Sequence, residues 1–188
     1  MGMPELVQRW TREMVLALPD DGNRYELLDG ELLVSPTPSS THQDTVMAVF
    51  MHVFSYVRDH RVGHPQISPA DLQLTPEELA QPDLFVVPLV EGRRPRDWSE
   101  YGIPLLVVEV LSPSTARYDR LVKRRRYQRA GTREYWIVDP DARLVERWRP
   151  GDDRPEILEE TLIWQLDPAQ DPLRIELPAF FRDVWGEP

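Results

Sequence analysis

The chain contains no cysteine in its 188 residues. That excludes disulfides and thiolate-held metal, and it fits a reducing compartment, so a cytoplasmic location is the expectation. No stretch approaches the roughly 18 consecutive apolar residues of a membrane-spanning helix, so no membrane partner is expected. The opening residues, Met1 to Trp10, carry Glu5 and Arg9 and no long apolar run, so no signal peptide is read there. Internal repeats and low-complexity linkers are also missing. The length suffices for one domain with its own core, and a single domain over residues 1–188 is expected. Net positive charge is lacking as well. The formal charge of -10 argues against indiscriminate coating of nucleic acid.

What is present is distributed unevenly. Residues 116–133 hold eight Lys and Arg against a single acid, Asp119. A basic face on an acidic body can hold a polyanion, weakly and with salt sensitivity. The same run also reads as an ordinary solvated helix face. Arg117, Arg120 and Arg124 are its candidate nucleic-acid contacts.

Hydrophobic periodicity places the elements. Thr11 to Leu18 reads as a short helix ended by Pro19. Tyr25 to Leu28 and Glu31 to Val34 read as a hairpin, because Asp29-Gly30 supplies a tight turn. A helix from about His42 to Asp59, capped by Ser40 or Thr41, has Val46, Val49, Phe50, Val53, Phe54 and Val57 at core-facing spacing. Ile67 to Leu74, Gln81 to Val87 and Pro104 to Leu111 suit strands. A helix then runs to about Ala130, with Gly131 as its C-terminal stop. Glu134 to Val138 and Arg143 to Arg149 suit further strands. Ile157, Leu162, Trp164, Leu173, Ile175 and Leu177 read as edge strands. The pattern describes an α/β fold with a mixed sheet.

Two carboxylates stand out against this pattern. Asp83 lies in the run Gln81 to Val87, and Glu109 interrupts the apolar run Leu105 to Leu111. A carboxylate in such a run pays for desolvation unless it is paired, hydrogen-bonded or bound to a cation. Asp83, following Pro82, reads equally as a strand-entry cap. Glu109, in mid-strand, is the stronger candidate for function. On neighbouring strands the pair suits Mg²⁺ or Mn²⁺, whose shell water and phosphate can complete. Asp119, Lys123 and Tyr127 fall in one helical row at i, i+4 and i+8. Lys123 is the candidate cation for phosphate chemistry, and Asp119 with Lys123 reads equally as a simple ion pair. Tyr118, Leu121 and Val122 are assigned the apolar face of this helix, so the Lys123 row is expected beside the core. Replacing Lys123 is then expected to change stability little. Glu26 is read opposite Glu31 across the hairpin, and His42 opens a helix.

Pro82-Asp83, Val107 to Thr115, Asp119, Lys123, Tyr127, Gly131 and Glu134 to Pro140 together resemble the Uma-type family of restriction endonucleases, within the PD-(D/E)XK nuclease superfamily. Tyr25 to Leu32 and Pro36 to His42 resemble that family's N-terminal signature. The resemblance covers about Leu18 to Pro140. It implies a restriction-endonuclease-like core, a mixed sheet flanked by helices, here with an N-terminal hairpin and C-terminal edge strands. It implies Asp83 and Glu109 as metal ligands, Glu26 and His42 as residues lining the cleft, and a homodimer. The superfamily lysine would fall at position 111, which is Leu111 here, and the resemblance nominates Lys123 on the next helix in its place.

The expected activity is metal-dependent hydrolysis of phosphodiester bonds in DNA. Two alternatives stand beside it: a non-catalytic nucleic-acid-binding protein on the same fold, and a metal-dependent hydrolase of a small phosphorylated molecule.

Overall fold

The computed structural model describes residues 9–188, so most of the segment read above for a signal peptide lies outside it. Helix α1 (Arg12–Leu16) starts where the Thr11 side chain accepts from the Met14 N–H. Strands β1 (Arg24–Leu28) and β2 (Glu31–Ser35) pair antiparallel across Asp29 and Gly30. Both turn residues have positive φ, 53° and 82°, as a two-residue hairpin requires. The register sets Glu26 opposite Leu33, while Glu31 faces Leu28. The expected Glu26–Glu31 pairing is therefore wrong, and Glu26 is fully buried. Helix α2 (Ser40–His60) is capped by Ser39, whose side chain accepts from the His42 N–H, one residue earlier than expected. Val46, Val49, Val53, Tyr56 and Val57 form its buried face. Phe54 lies exposed, and Tyr56 takes the core place assigned to it.

Six strands form the main sheet: β3 (His64–Ile67), β4 (Leu84–Val87), β5 (Leu106–Val110), β6 (Tyr135–Asp139), β7 (Leu144–Trp148) and β8 (Glu156–Leu158), side by side in that order. Only β5 and β6 run parallel; every other neighbouring pair is antiparallel. The strand expected at 67–74 instead lies at His64–Ile67, ahead of Ser68-Pro69. The segment between β3 and β4 bridges Leu79 to Leu27, which ties it to the N-terminal hairpin.

A parallel pair needs a crossover, and helix α3, residues 116–129, provides it between β5 and β6. It is not uniform. Ala116–Tyr118 and Arg124–Arg129 are α-helical, and Asp119–Lys123 between them forms a wide π turn. Gly131, at φ 81°, ends it. Among the described residues, strands β9 (Thr161–Trp164) and β10 (Leu173–Glu176) pair only with each other. Of the expected C-terminal edge strands, then, only β8 borders the main sheet. Helix α4 (Leu177–Trp185) was not anticipated. Leu177, Phe180 and Phe181 are buried at helical spacing, and a proline stands in its first turn, where a missing N–H costs nothing.

Alternation along the strands divides the core in two. Val108, Val110, Trp136 and Val138 face α2, α4 and the β9–β10 hairpin. Val107, Tyr135 and Ile137 face α3 and Tyr127. By the same alternation Glu109, between Val108 and Val110, joins the α3 side. Trp164 fastens the β9–β10 hairpin to the sheet, packing edge-on to Trp136 at 5.6 Å and against Tyr56 at 5.5 Å. Trp164→Ala is expected to lower the unfolding free energy by about 3–5 kcal/mol in urea titration, the range for a buried large aromatic.

Candidate active site

The β4–β5 register brings the two carboxylates together. Leu84 opposes Val108, so one step further along the ladder Asp83 comes beside Glu109. Asp83 Oδ2 accepts the Val110 N–H at 2.8 Å and lies 3.2 Å from His42 Nε2. Its other oxygen, Oδ1, accepts from Arg24 Nη1 at 2.8 Å. Burial pushes the Asp83 carboxyl up, but His42, Arg24 and the Val110 N–H outweigh it and hold the group well below the carboxylate range. His42 reaches this point from the first turn of α2, and Arg24 from the start of β1.

Glu109 faces a different set. Its Oε1 accepts from Lys123 Nζ at 3.0 Å and from the Tyr127 hydroxyl at 3.2 Å. Lys123 Nζ also stands 2.9 Å from Glu26 Oε2 and 3.4 Å from Asp119 Oδ1. Glu26 is anchored in turn, because its Oε1 accepts the Gln81 N–H at 2.9 Å. Burial drives the Glu109 carboxyl well above its ordinary value, with Lys123 as the main opposing influence. Asp119 is raised for the same reasons. Burial alone would depress the Lys123 ammonium, yet Glu109, Glu26 and Asp119 raise it well above the usual lysine value.

The row Asp119, Lys123 and Tyr127 is thus the buried face of α3, contrary to the expectation that it runs beside the core. Leu121, assigned to the apolar face, is 44% exposed. An ammonium can sit at 1% exposure here because three carboxylates surround it. Its replacement is accordingly no surface change.

Arg24, His42, Asp83, Glu109, Thr115 and Lys123 line one cavity of about 200 Å³. Four buried carboxylates, Glu26, Asp83, Glu109 and Asp119, face two permanent cations, Lys123 and Arg24. Carboxylate oxygens are the donor type that a hard divalent cation takes. Asp119 Oδ2 and His42 Nδ1 are buried there without a hydrogen-bond partner. Among the described residues no group of three or more His, Asp or Glu forms a ready-made metal cluster. Asp83 and Glu109 are the residues that could hold such an ion, with water and phosphate completing its shell.

Of the residues singled out in the sequence, Asp83, Glu109, Lys123, Glu26, His42, Asp119 and Tyr127 converge in this region. The three candidate nucleic-acid contacts do not. Arg117 is exposed on α3. Arg120 is bound to Glu146 at 2.6 Å and Asp139 at 3.1 Å. Arg124 stacks over Trp148 at 4.5 Å and donates to Gln128. Arg24 was missed, although its i, i+2 relation to Glu26 on β1 puts the two on one side of that strand.

The fold agrees with comparisons to known proteins. The pattern of the Uma2 family, described as "putative restriction endonuclease", matches residues 12–185, and the chain belongs to that family. The chain is also similar to a crystal structure titled as a putative nuclease belonging to DUF820 from Anabaena variabilis. The TM-score is 0.73 at 19% identity, over 93% of this chain and 99% of that one, a likeness that establishes the fold. No curated protein matches the chain. Among the described residues no helix is long and apolar enough to cross a membrane.

Lys123→Met should destabilise the protein by about 3–5 kcal/mol, because the carboxylates lose their shared counterion in a buried site. The loss should also depend on pH. Without Lys123 the Glu109 and Asp119 carboxyls, already raised by burial, titrate higher still. A carboxyl whose pKa is higher in the folded than in the unfolded chain loses stability as pH rises between those values. The deficit measured by urea denaturation should be larger near about pH 8 than near about pH 5, and a pH-independent deficit would contradict this account.

Proposed function

We propose that the protein is a divalent-metal-dependent endonuclease acting on DNA. The observation that supports this reading is the placement of Asp83 and Glu109 at adjoining strand ends, lining one cavity with the Lys123 ammonium 3.0 Å from Glu109. Asp83 and Glu109 would hold Mg²⁺ or Mn²⁺. Such an ion, when bound, supplies a Lewis acid for a phosphoryl oxygen and a nucleophile of lowered pKa. Lys123 opposes the pull of burial on Glu109 and presents its charge at the cavity wall, where it favours an anionic phosphorane. His42 fixes the Asp83 carboxylate from the opposite side to Arg24. Tyr127 holds the Glu109 oxygen that Lys123 shares. Family membership supports nucleic acid as the partner. Two copies would provide one site per strand of a duplex, so a homodimer is part of the proposal, checked by sedimentation.

Calorimetry with Mn²⁺ should show a site that weakens at least about tenfold in Asp83→Asn and in Glu109→Gln, since each removes a charged oxygen ligand. Duplex DNA, single-stranded DNA and RNA should be compared on denaturing gels with Mg²⁺, Mn²⁺ and chelator. Cleavage of DNA that chelator abolishes is the expected result. Binding of duplex without product under any metal would mark a non-catalytic nucleic-acid-binding protein instead.

A further inference from the structure

Arg24 occupies an unusual position for a structural ion pair. It reaches Asp83 from the N-terminal hairpin, across the chain from the sheet that carries the two carboxylates. Only one of its guanidinium nitrogens is engaged: Nη1 donates to Asp83 Oδ1 at 2.8 Å and to the Gln81 carbonyl at 2.9 Å. Nε and Nη2 make no hydrogen bond to the described residues, and the side chain is 18% exposed. The residue lines the carboxylate cavity and also an adjoining cavity of about 340 Å³. The two cavities share Asp83, His42 and the Pro36 to Pro38 turn.

Two facts make this pairing incompatible with a metal-loaded site as it stands. A divalent cation on Asp83 would sit beside a guanidinium already bonded to the same carboxylate. Like charges a few ångströms apart in a poorly hydrated site repel strongly. The same guanidinium keeps spare donors while lining two adjoining cavities, and a planar fork with spare donors is the side chain best matched to phosphate oxygens.

Building on the endonuclease reading, we infer that Arg24 is an exchangeable countercharge: it neutralises Asp83 in the metal-free protein, and in the loaded site it turns its guanidinium to a phosphate of the bound strand. Arg24 therefore opposes metal binding when substrate is absent and favours it when a phosphate is present. Metal and nucleic acid bind cooperatively through this one side chain, and the reciprocity is a thermodynamic requirement. The residue is a phosphate ligand in one state and a guard of the empty carboxylate in the other. An arginine placed only to stabilise the fold would not strengthen the binding of duplex.

The test uses the full chain and two variants, Arg24→Gln and Arg24→Lys, with folding checked by circular dichroism. Mn²⁺ affinity without nucleic acid is measured by calorimetry. Duplex affinity is measured by fluorescence anisotropy in Ca²⁺, over a range of salt. Arg24→Gln should bind Mn²⁺ at least about tenfold more tightly than the wild type, from removal of a neighbouring positive charge. It should bind duplex more weakly, with a salt slope lower by about 1 for one lost phosphate contact. Arg24→Lys keeps the charge and loses the fork, so it should retain wild-type Mn²⁺ affinity and still lose duplex affinity. That variant decides the matter if Arg24→Gln does not fold. A wild type that binds Mn²⁺ and cleaves DNA, beside folded variants with unchanged Mn²⁺ and duplex affinity, overturns this inference alone. Absence of Mn²⁺ binding in the wild type and in Arg24→Gln alike, with no metal-dependent cleavage of DNA, overturns the endonuclease reading and this inference with it.

Discussion

The placement of one ammonium governs this structure. Lys123 Nζ lies among Glu26, Glu109 and Asp119, at 2.9, 3.0 and 3.4 Å, and every one of these side chains is buried. Each acid comes from a different element: the N-terminal hairpin, the central strand and the crossover helix. A buried charge is tolerable only with close, well-directed partners. Lys123 therefore fixes how the hairpin, β5 and α3 sit against one another. The Gln81 N–H on Glu26 extends the same constraint to the segment leading into β4, where Asp83 begins.

The π turn from Asp119 to Lys123 belongs to this arrangement. Wide turns of this kind recur at functional sites, where they re-aim side chains that a regular helix would space differently. Here both charged ends of the turn point inward, and Tyr127 follows one turn later to reach the same Glu109 oxygen. The helix exposes Leu121 and buries a lysine because the electrostatic requirement of the site exceeds the gain from burying one leucine, about 1.5–3 kcal/mol.

The carboxylates then fall into two electrostatic settings. Asp83 is held ionised by Arg24, His42 and a backbone N–H. Glu109 is pushed toward its neutral form by burial and restrained chiefly by Lys123. On the proposed reading, this contrast would leave Asp83 ready as a metal ligand and Glu109 gaining its full charge as the cation arrives. The basic residues on the outer side of α3 serve differently from their appearance in the sequence: Arg120 and Arg124 are spent on Asp139, Glu146 and Trp148, and they brace α3 against β6 and β7.

The sequence by itself determined the hairpin at Asp29-Gly30, the long helix, the apolar strands and the two interrupting carboxylates. Each of these rests on local chemistry: a turn that needs positive φ, a 3.6-residue period, or a charge inside an apolar run. It also held the row Asp119, Lys123 and Tyr127, but not its direction. Only the tertiary structure decided that Lys123 faces inward, that Glu26 joins it rather than facing Glu31, and that Arg24 meets Asp83 across nearly sixty residues of chain. It likewise decided that the run ending in Leu177 opens a helix rather than continuing an edge strand. The reason is physical. Periodicity tells which residues share a face, but which face is buried depends on the charges that other elements bring to it.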